Sequence, residues 1–404
     1  MFESTTTTSE KKVSSSNFIN DDLSFNILSK LPLKSLKRFG CVSKSWSLLF
    51  ENHYFMTIFR SNFISNHQSL YNDTSLLLRV TGREFHILSD NDDFEFENTV
   101  DLPNPFQEED PFFKILDSGS ITGILCLYRD QEVPIVFWNP SIQQFKVIPP
   151  SPGESVPRYQ MFLSIINGFG YDHVSDDYKL IKHIYYFRPS HRDCEDLGLH
   201  DVPREGVLDG KSLWEIYSLR NNSWKKLDDM NVCFEGVSYN CSAHNNIYGQ
   251  LLYLDGTCHW WNFIDLPDAQ VVLVSFDLVN EVLCTTLVPL DIHFGATHLV
   301  ELCGSVALIS WTYRSTCIFD ISILSEIGVK ELWTKLFSVG PLSCIENPIG
   351  SGKNGDIFFI QEDGEIVCLN LNTQIIEELD VRGDKYHQLG QVLMYKENFI
   401  QWKG

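Results

Sequence analysis

From Phe18 to Phe50 the apolar positions recur at a helical period. Leu23, Ile27, Leu28 and Leu31 lie at offsets 0, 4, 5 and 8 and so share one helix face. Pro32 ends that helix, because it has no N–H to give to the preceding turn. The next helix starts well at Pro32-Leu33, where the missing donor costs nothing. Leu36, Phe39, Val42, Trp46, Leu49 and Phe50 continue the apolar pattern, and Ser43 is placed to cap a third helix. Three helices of roughly ten residues cannot bury so many apolar side chains among themselves. Part of this surface is expected to meet another protein or another part of the chain.

After residue 65 the period changes to that of strands. Short apolar or aromatic runs are separated by Gly, Asn, Asp and Pro, and only Leu324–Lys330 reads as a short helical turn. Four segments repeat one shape: Phe137–Val147, Ile216–Lys226, Val274–Val282 and Val367–Ile376. Each puts a polar turn between two strands and a large apolar residue just after the turn. A fifth, irregular copy runs from Ile318 to Lys335. The turns, near 141, 221, 279, 327 and 372, are 80, 58, 48 and 45 residues apart. The later spacings match the ~40–50 residues of a four-stranded propeller blade. The longest interval holds a polar, turn-rich insertion around 188–212.

Gly-containing strand pairs precede these hairpins, at Ser118–Leu127, Tyr248–Trp261 and Asn354–Phe359. Glycine there permits tight turns and close backbone approach near an axis. Residues 72–100 supply a first blade, and Gln391–Ile400 a late strand that closes the ring. The expected fold is an α+β multidomain chain: a small three-helix unit, then an all-β propeller of about six blades. A β-sandwich is the competing architecture, and regular copies favour radial repetition over it. The expected divisions are a disordered leader over 1–17, the helical unit over 18–60, a linker over 61–71 and the propeller over 72–404.

Charge divides the chain in the same place. Residues 1–60 hold 8 Lys/Arg and 5 Asp/Glu, a balance of +3, and the remainder holds 23 and 48, a balance of −25. An acidic body of this size argues against nucleic acid as a partner, since phosphate binding needs a basic face. It is compatible with a basic protein partner, but general solubility is the stronger reading of the two. The sequence has no run of 18 apolar residues, so no membrane-spanning helix is expected. The first sixteen residues are Ser/Thr-rich and do not read as a secretory signal. Eleven scattered cysteines without a CxxC pair read as reduced thiols, which fits the cytoplasm or nucleus.

Candidate chemistry is sparse. His183, His191, Cys194 and His200 are too irregularly spaced for a structural zinc site, so no metal is expected. The run Gly350–Gly355 lacks the phosphate-loop spacing and reads as a flexible interblade loop. The acidic run Asp90–Asp101 reads as a solvated loop. In His259-Trp260-Trp261, strand alternation sends one Trp into the core and its neighbour outward. No nucleophile has a recognisable catalytic setting, so neither catalysis nor a cofactor is expected.

The helical segment carries a specific succession. Asp22-Leu23, Ile27-Leu28, Leu31-Pro32-Leu33-Lys34-Ser35-Leu36, Arg38-Phe39 and Cys41-Val42-Ser43-Lys44-Ser45-Trp46 resemble an F-box of the large plant group, the adaptor-docking motif of SCF-type ubiquitin ligases. The family usually opens with Leu-Pro before the acidic-Leu pair. Here Ile19-Asn20 stand there, and Asn20 still suits a helix cap. The strand segments resemble the kelch-like F-box-associated interaction domain. The matches include Trp138-Asn139-Pro140, Gly168-Phe169-Gly170-Tyr171-Asp172, Asp176-Asp177-Tyr178-Lys179-Leu180 and Gly328–Leu336.

The resemblance implies a non-catalytic substrate receptor. It would dock on a Skp-type adaptor, and through it on cullin and RING subunits, while the propeller holds a target protein. The implied adaptor contacts are Leu23, Ile27, Leu28, Leu31, Pro32, Leu36, Val42 and Trp46. Some of these must instead hold the helices together, and the sequence does not sort them. Substrate-binding residues are not identified. Two other readings remain: an F-box scaffold acting outside a ligase, and a propeller that binds a ligand behind an incidental helical leader.

Overall fold

The helical period of the N-terminal segment is realised in four helices. In the computed structural model they are α1 (Asp21–Leu28), α2 (Leu33–Val42), α3 (Lys44–Ser47) and α4 (His53–Ser65). Described are residues 21–65, 74–79, 84–88, 96–101, 114–129, 132–154, 161–187, 212–227, 250–264, 270–289, 297–311, 317–382 and 391–399. The leader 1–17, Asn20, residues 188–211 of the insertion and residues 90–95 of the acidic run lie outside them. The chain forms two compact units, Met1–Phe63 and Ile64–Gly404.

Three helices were expected and the fourth was not. α4 also runs through the boundary drawn between residues 60 and 61. Its N-terminus is capped by Asn52, whose Oδ1 accepts from the N–H of Phe55 at 3.0 Å. Ser43 precedes α3 as expected, but its hydroxyl caps nothing and pairs with the Ser45 hydroxyl instead.

Among the described residues the second unit contains six four-stranded antiparallel sheets. Sheet one joins the C-terminal strand β24 (Gln391–Tyr395) to β1 (Ser75–Arg79), β2 (Glu84–Leu88) and β3 (Phe96–Asp101). Sheet two is β4 (Lys114–Ile115), β5 (Leu125–Arg129), β6 (Glu132–Asn139) and β7 (Gln144–Val147). Sheet three is β8 (Met161–Asp172), β9 (Asp177–Phe187), β10 (Ser212–Ser218) and β11 (Ser223–Leu227). Sheet four is β12 (Leu251–Leu254), β13 (Thr257–Ile264), β14 (Gln270–Asp277) and β15 (Val282–Leu287). Sheet five is β16 (Thr297–Leu302), β17 (Ser305–Trp311), β18 (Cys317–Leu324) and β19 (Trp333–Leu342). Sheet six is β20 (Ile345–Ser351), β21 (Asp356–Gln361), β22 (Glu365–Asn370) and β23 (Ile376–Arg382). Each of the last five is a meander in chain order, so the repeat read from the sequence is the blade of a propeller. The short turn expected over Leu324–Lys330 falls at Lys330–Leu332.

Side-chain alternation explains why the sheets stack in a ring. Along β1, Leu76 and Leu78 pack with Ile349 and Phe358 of sheet six, whereas Leu77 packs with Ile115 and Trp138 of sheet two. Along β13, Trp260 joins the core shared with sheets two and three, and Trp261 joins Leu299 and Leu308 of sheet five. Both tryptophans are therefore buried. The expectation that one would face outward fails because each sheet has a neighbour on both faces. Sheets five and six meet through Phe319 and Phe359, with ring centroids 4.8 Å apart.

The outer hairpins share a chemical device. Their third strands end on Asn139, Ser218, Asp277 and Asn370. The side-chain oxygens of these residues accept from Ser141 N, Asn221 N, Val279 N and Asn372 N at 2.8–3.1 Å. Four residues on, Gln143, Asn222, Glu281 and Gln374 all hold positive φ, between 47 and 60°. The local caps offset the cost of the left-handed conformation. The inner turns use the same conformation at Thr122-Gly123, Asp255-Gly256 and Cys303-Gly304, where both residues have positive φ, as two-residue hairpin turns require.

Candidate functional site

The candidate site lies in the helical unit, and a corner between helices organises it. α1 closes with Lys30 N–H on the carbonyl of Ile27 and Leu31 N–H on that of Leu28, and Pro32 then redirects the chain into α2. Asn62 of α4 donates from Nδ2 to the carbonyl of Ser29 at 3.1 Å and fastens α4 to that corner. Phe25 stacks on Tyr54 and meets Phe55 edge to face, with centroids 5.6 and 5.0 Å apart. Phe39 of α2 meets Trp46 of α3 edge to face at 5.6 Å.

This packing sorts the eight residues that the sequence grouped together. Leu28 and Leu36 are buried, Leu36 completely. Leu31 and Trp46 are half-buried, and Pro32 is exposed. Leu23 and Ile27, four residues apart on one face of α1, are 54% and 50% exposed, and Val42 at the end of α2 is 80% exposed. Leu23, Ile27, Pro32 and Val42 thus offer apolar surface, whereas Leu28 and Leu36 belong to the interior. Phe39, Leu48 and Tyr54 add exposed apolar area that the sequence reading did not assign to the site. Phe39 lies within the motif, and Leu48 and Tyr54 follow it. Leu48 falls among the apolar positions Trp46, Leu49 and Phe50, and Tyr54 lies beyond the end of that pattern.

The remaining candidates resolve into packing. His183 is buried and stacked on Trp214, 4.0 Å between centroids and 9° between planes. His259 is buried with its Nδ1 2.8 Å from the Ser275 hydroxyl. Burial pushes both imidazoles down, His183 to about 3 and His259 to about 4. Among the described residues no group of three His, Cys, Asp or Glu side chains is placed to hold a metal ion. His191, Cys194 and His200 lie outside those residues. The eight described cysteines are free thiols, and burial raises Cys126 and Cys258 above the usual thiol range. The Gly350–Gly355 run is not an interblade loop: Gly350 and Ser351 end β20, and the residues after them turn into β21 of the same sheet, with Gly352 N–H on the carbonyl of Asp356 at 2.8 Å. No described helix is long and apolar enough to cross a membrane.

Comparison with known proteins falls on both units. Residues 19–57 match the family model for the F-box domain, and residues 78–398 match that for the F-box associated beta propeller domain. The Arabidopsis thaliana protein At2g16220 is 26% identical over 313 residues, which cover 73% of this chain and 64% of that relative. The F-box protein At4g19940 of the same plant is 25% identical over 90% of this chain and 86% of its own. The F-box protein CPR1, also from Arabidopsis, is 25% identical over 79% of this chain and 72% of its own. The chain therefore spans just under two thirds of At2g16220 and most of the other two.

Proposed function

Because the chain belongs to the plant F-box proteins that carry an F-box associated beta propeller domain, we propose that it is the substrate-recognition subunit of an SCF-type ubiquitin ligase. The helical unit docks on a Skp-type adaptor, which brings cullin and RING subunits. The propeller holds a target protein, and its ubiquitination follows from proximity. Holding the two reactants together raises their effective concentration without a catalytic residue in this chain. The protein acts in the cytoplasm or nucleus.

The observation that carries this reading is the exposed apolar set within the F-box match: Leu23, Ile27, Pro32 and Val42. Fully burying an exposed aliphatic side chain is worth about 1.5–3 kcal/mol, so these positions can contribute to binding against the cost of association. The +3 balance of residues 1–60 against −25 elsewhere keeps the two binding functions electrostatically distinct.

The test is co-purification of the full chain with a Skp-type adaptor. Leu23→Ala with Ile27→Ala, and separately Leu31→Ala with Pro32→Ala, should sharply weaken retention. Retention unchanged in both pairs would remove the basis for the assignment. Adaptor binding without recruitment of cullin would favour a scaffold role outside the ligase.

A further inference from the structure

We propose that the outer edge of β15 accepts an extended, uncharged segment of a partner protein, which adds to sheet four as a fifth strand. This inference does not depend on adaptor docking.

β15 is the last strand of its sheet. Val288 N–H bonds to the carbonyl of Val271, which fixes the alternation of the ladder that follows. Residues 282, 284 and 286 direct their backbone groups to β14. The N–H and C=O groups of Leu283, Thr285 and Leu287 therefore point away from β14, toward the open side. No further strand pairs there among the described residues.

Outer strands of this kind are normally protected by charge. β7 carries Lys146, β11 Lys225 and Lys226, and β19 Lys335. β23 carries Glu377, Glu378, Asp380 and Arg382. β15 reads Val-Leu-Cys-Thr-Thr-Leu and carries none. Among the outer strands whose side chains are described, β15 alone lacks the charge that would repel an incoming strand.

The edge is accessible and held in place. Val282 and Leu287 are 58% and 38% exposed, and Cys284 and Thr285 are exposed as well. Thr286 is buried, and its Oγ1 accepts from Gly328 N–H of the next sheet at 2.6 Å. That contact orders β15 in advance, so less entropy is lost on pairing.

Charge selects the occupant. The chain has a net charge of −22, so two copies repel each other. An uncharged six-residue segment matches the strand, and basic flanks match the acidic body. The partner is therefore a different protein with an extended Val/Thr/Ile-type segment bordered by Lys or Arg, not a second copy of this chain.

The probe is a fluorescent peptide of six alternating Thr and Val residues with a Lys at each end, titrated into the full chain by anisotropy. Saturable binding is expected, with slowed hydrogen exchange at Leu283, Thr285 and Leu287. Thr285→Pro removes an outward N–H without breaking a bond to β14 and should weaken binding at least tenfold. Val282→Lys with Leu287→Lys acts on exposed side chains only, so it tests the edge even if the proline variant folds poorly. It should also weaken binding at least tenfold. The proposal is overturned if the peptide does not bind saturably, or if the lysine pair leaves binding unchanged. It is equally overturned if the full chain sediments as a dimer that the lysine pair dissolves, because the edge is then used by a second copy.

Discussion

Asn398 donates from Nδ2 to the carbonyl oxygen of Thr122, 276 positions earlier in the chain, at 2.6 Å. Its own N–H reaches the Ser141 hydroxyl, and its carbonyl accepts from Asn139 Nδ2 at 2.8 Å. The C-terminal residues after β24 are thus clasped across two turns of sheet two. Gly123 makes the approach possible. It holds φ +85°, and a Cβ there would lie 2.3 Å from the Asn398 Cβ and 2.9 Å from the Lys396 carbonyl. Gly123→Ala should lower propeller stability by about 2–4 kcal/mol, combining left-handed strain with the clash. Asn398→Ala should cost about 1–2 kcal/mol. Asn398→Gly should recover part of the Gly123→Ala loss, because it removes the opposing Cβ. Thermal unfolding of the two single variants and the double variant checks this, and strict additivity would show that the clasp is not the cause.

Leu36 and Val42 lie six residues apart in α2 with opposite roles. Leu36 is 0% and Val42 80% exposed. Leu36→Ala should destabilise the helical unit by about 2–5 kcal/mol. Val42→Asp should change its stability by less than about 0.5 kcal/mol yet weaken capture of a Skp-type adaptor. Helical circular dichroism during unfolding, paired with adaptor pull-down, separates the two effects. Equal loss of adaptor binding and of helicity in Val42→Asp would assign that residue to the fold instead.

The contrast shows what the chain's pattern makes legible. The repeat of strand, polar turn and strand was readable because four of the outer hairpins carry their own cap, as at Asp277 and Asn370. Ring closure by Gln391 onward was readable from the leftover late strand, and it pairs with β1 as expected. The division of Leu28 and Leu36 from Leu23 and Val42 was not readable, because all four fit one apolar period and only tertiary contacts tell its two sides apart. α4 was missed although Asn52 precedes Phe55, Met56, Phe59 and Phe63, a cap followed by helical spacing. The pairing of Asn398 with Thr122 has no local signal at all, since the two meet only when the ring is closed.

His259 gives the stability of the propeller a dependence on pH. Burial lowers its pKa from the ordinary 6.5 to about 4, so the unfolded chain binds the proton more readily. The stabilisation is complete above pH 6.5 and is lost as pH falls through 4. At about 1.4 kcal/mol for each unit it amounts to about 3 kcal/mol. Asp172 acts lower on the scale. Desolvation opposes its charge, but Lys179 and the hydrogen bonds from Ser175 and Val174 outweigh that and hold its pKa well below the usual carboxylate range. Its contribution falls away only below pH 3.8. Denaturant unfolding carried from pH 7 down to pH 4 should show stability declining as pH falls in the native chain and a flatter profile in His259→Gln. Parallel profiles would mean that other groups carry the acid sensitivity.

Lys182 is the most buried cation in sheet three, with its side chain 1% exposed. It pairs with Glu154, lies opposite Glu215 in the β9–β10 ladder, and sits 4.3 Å from the centroid of the Trp224 ring. Ser151 donates to Glu215, so the segment that leads from β7 to β8 is fastened to sheet three by one polar network. Desolvation lowers the Lys182 pKa, and Glu154 and Glu215 oppose that shift. Removing the amine leaves Glu154 and Glu215 without their shared counter-charge. Lys182→Met should therefore destabilise the propeller by about 3–5 kcal/mol, the range for breaking a buried pair from one side. Adding Glu154→Gln and Glu215→Gln to that variant removes the excess negative charge and should restore much of the loss. If Lys182→Met alone unfolds within about 1 kcal/mol of the native chain, water must reach these carboxylates, and the network contributes less than its burial implies.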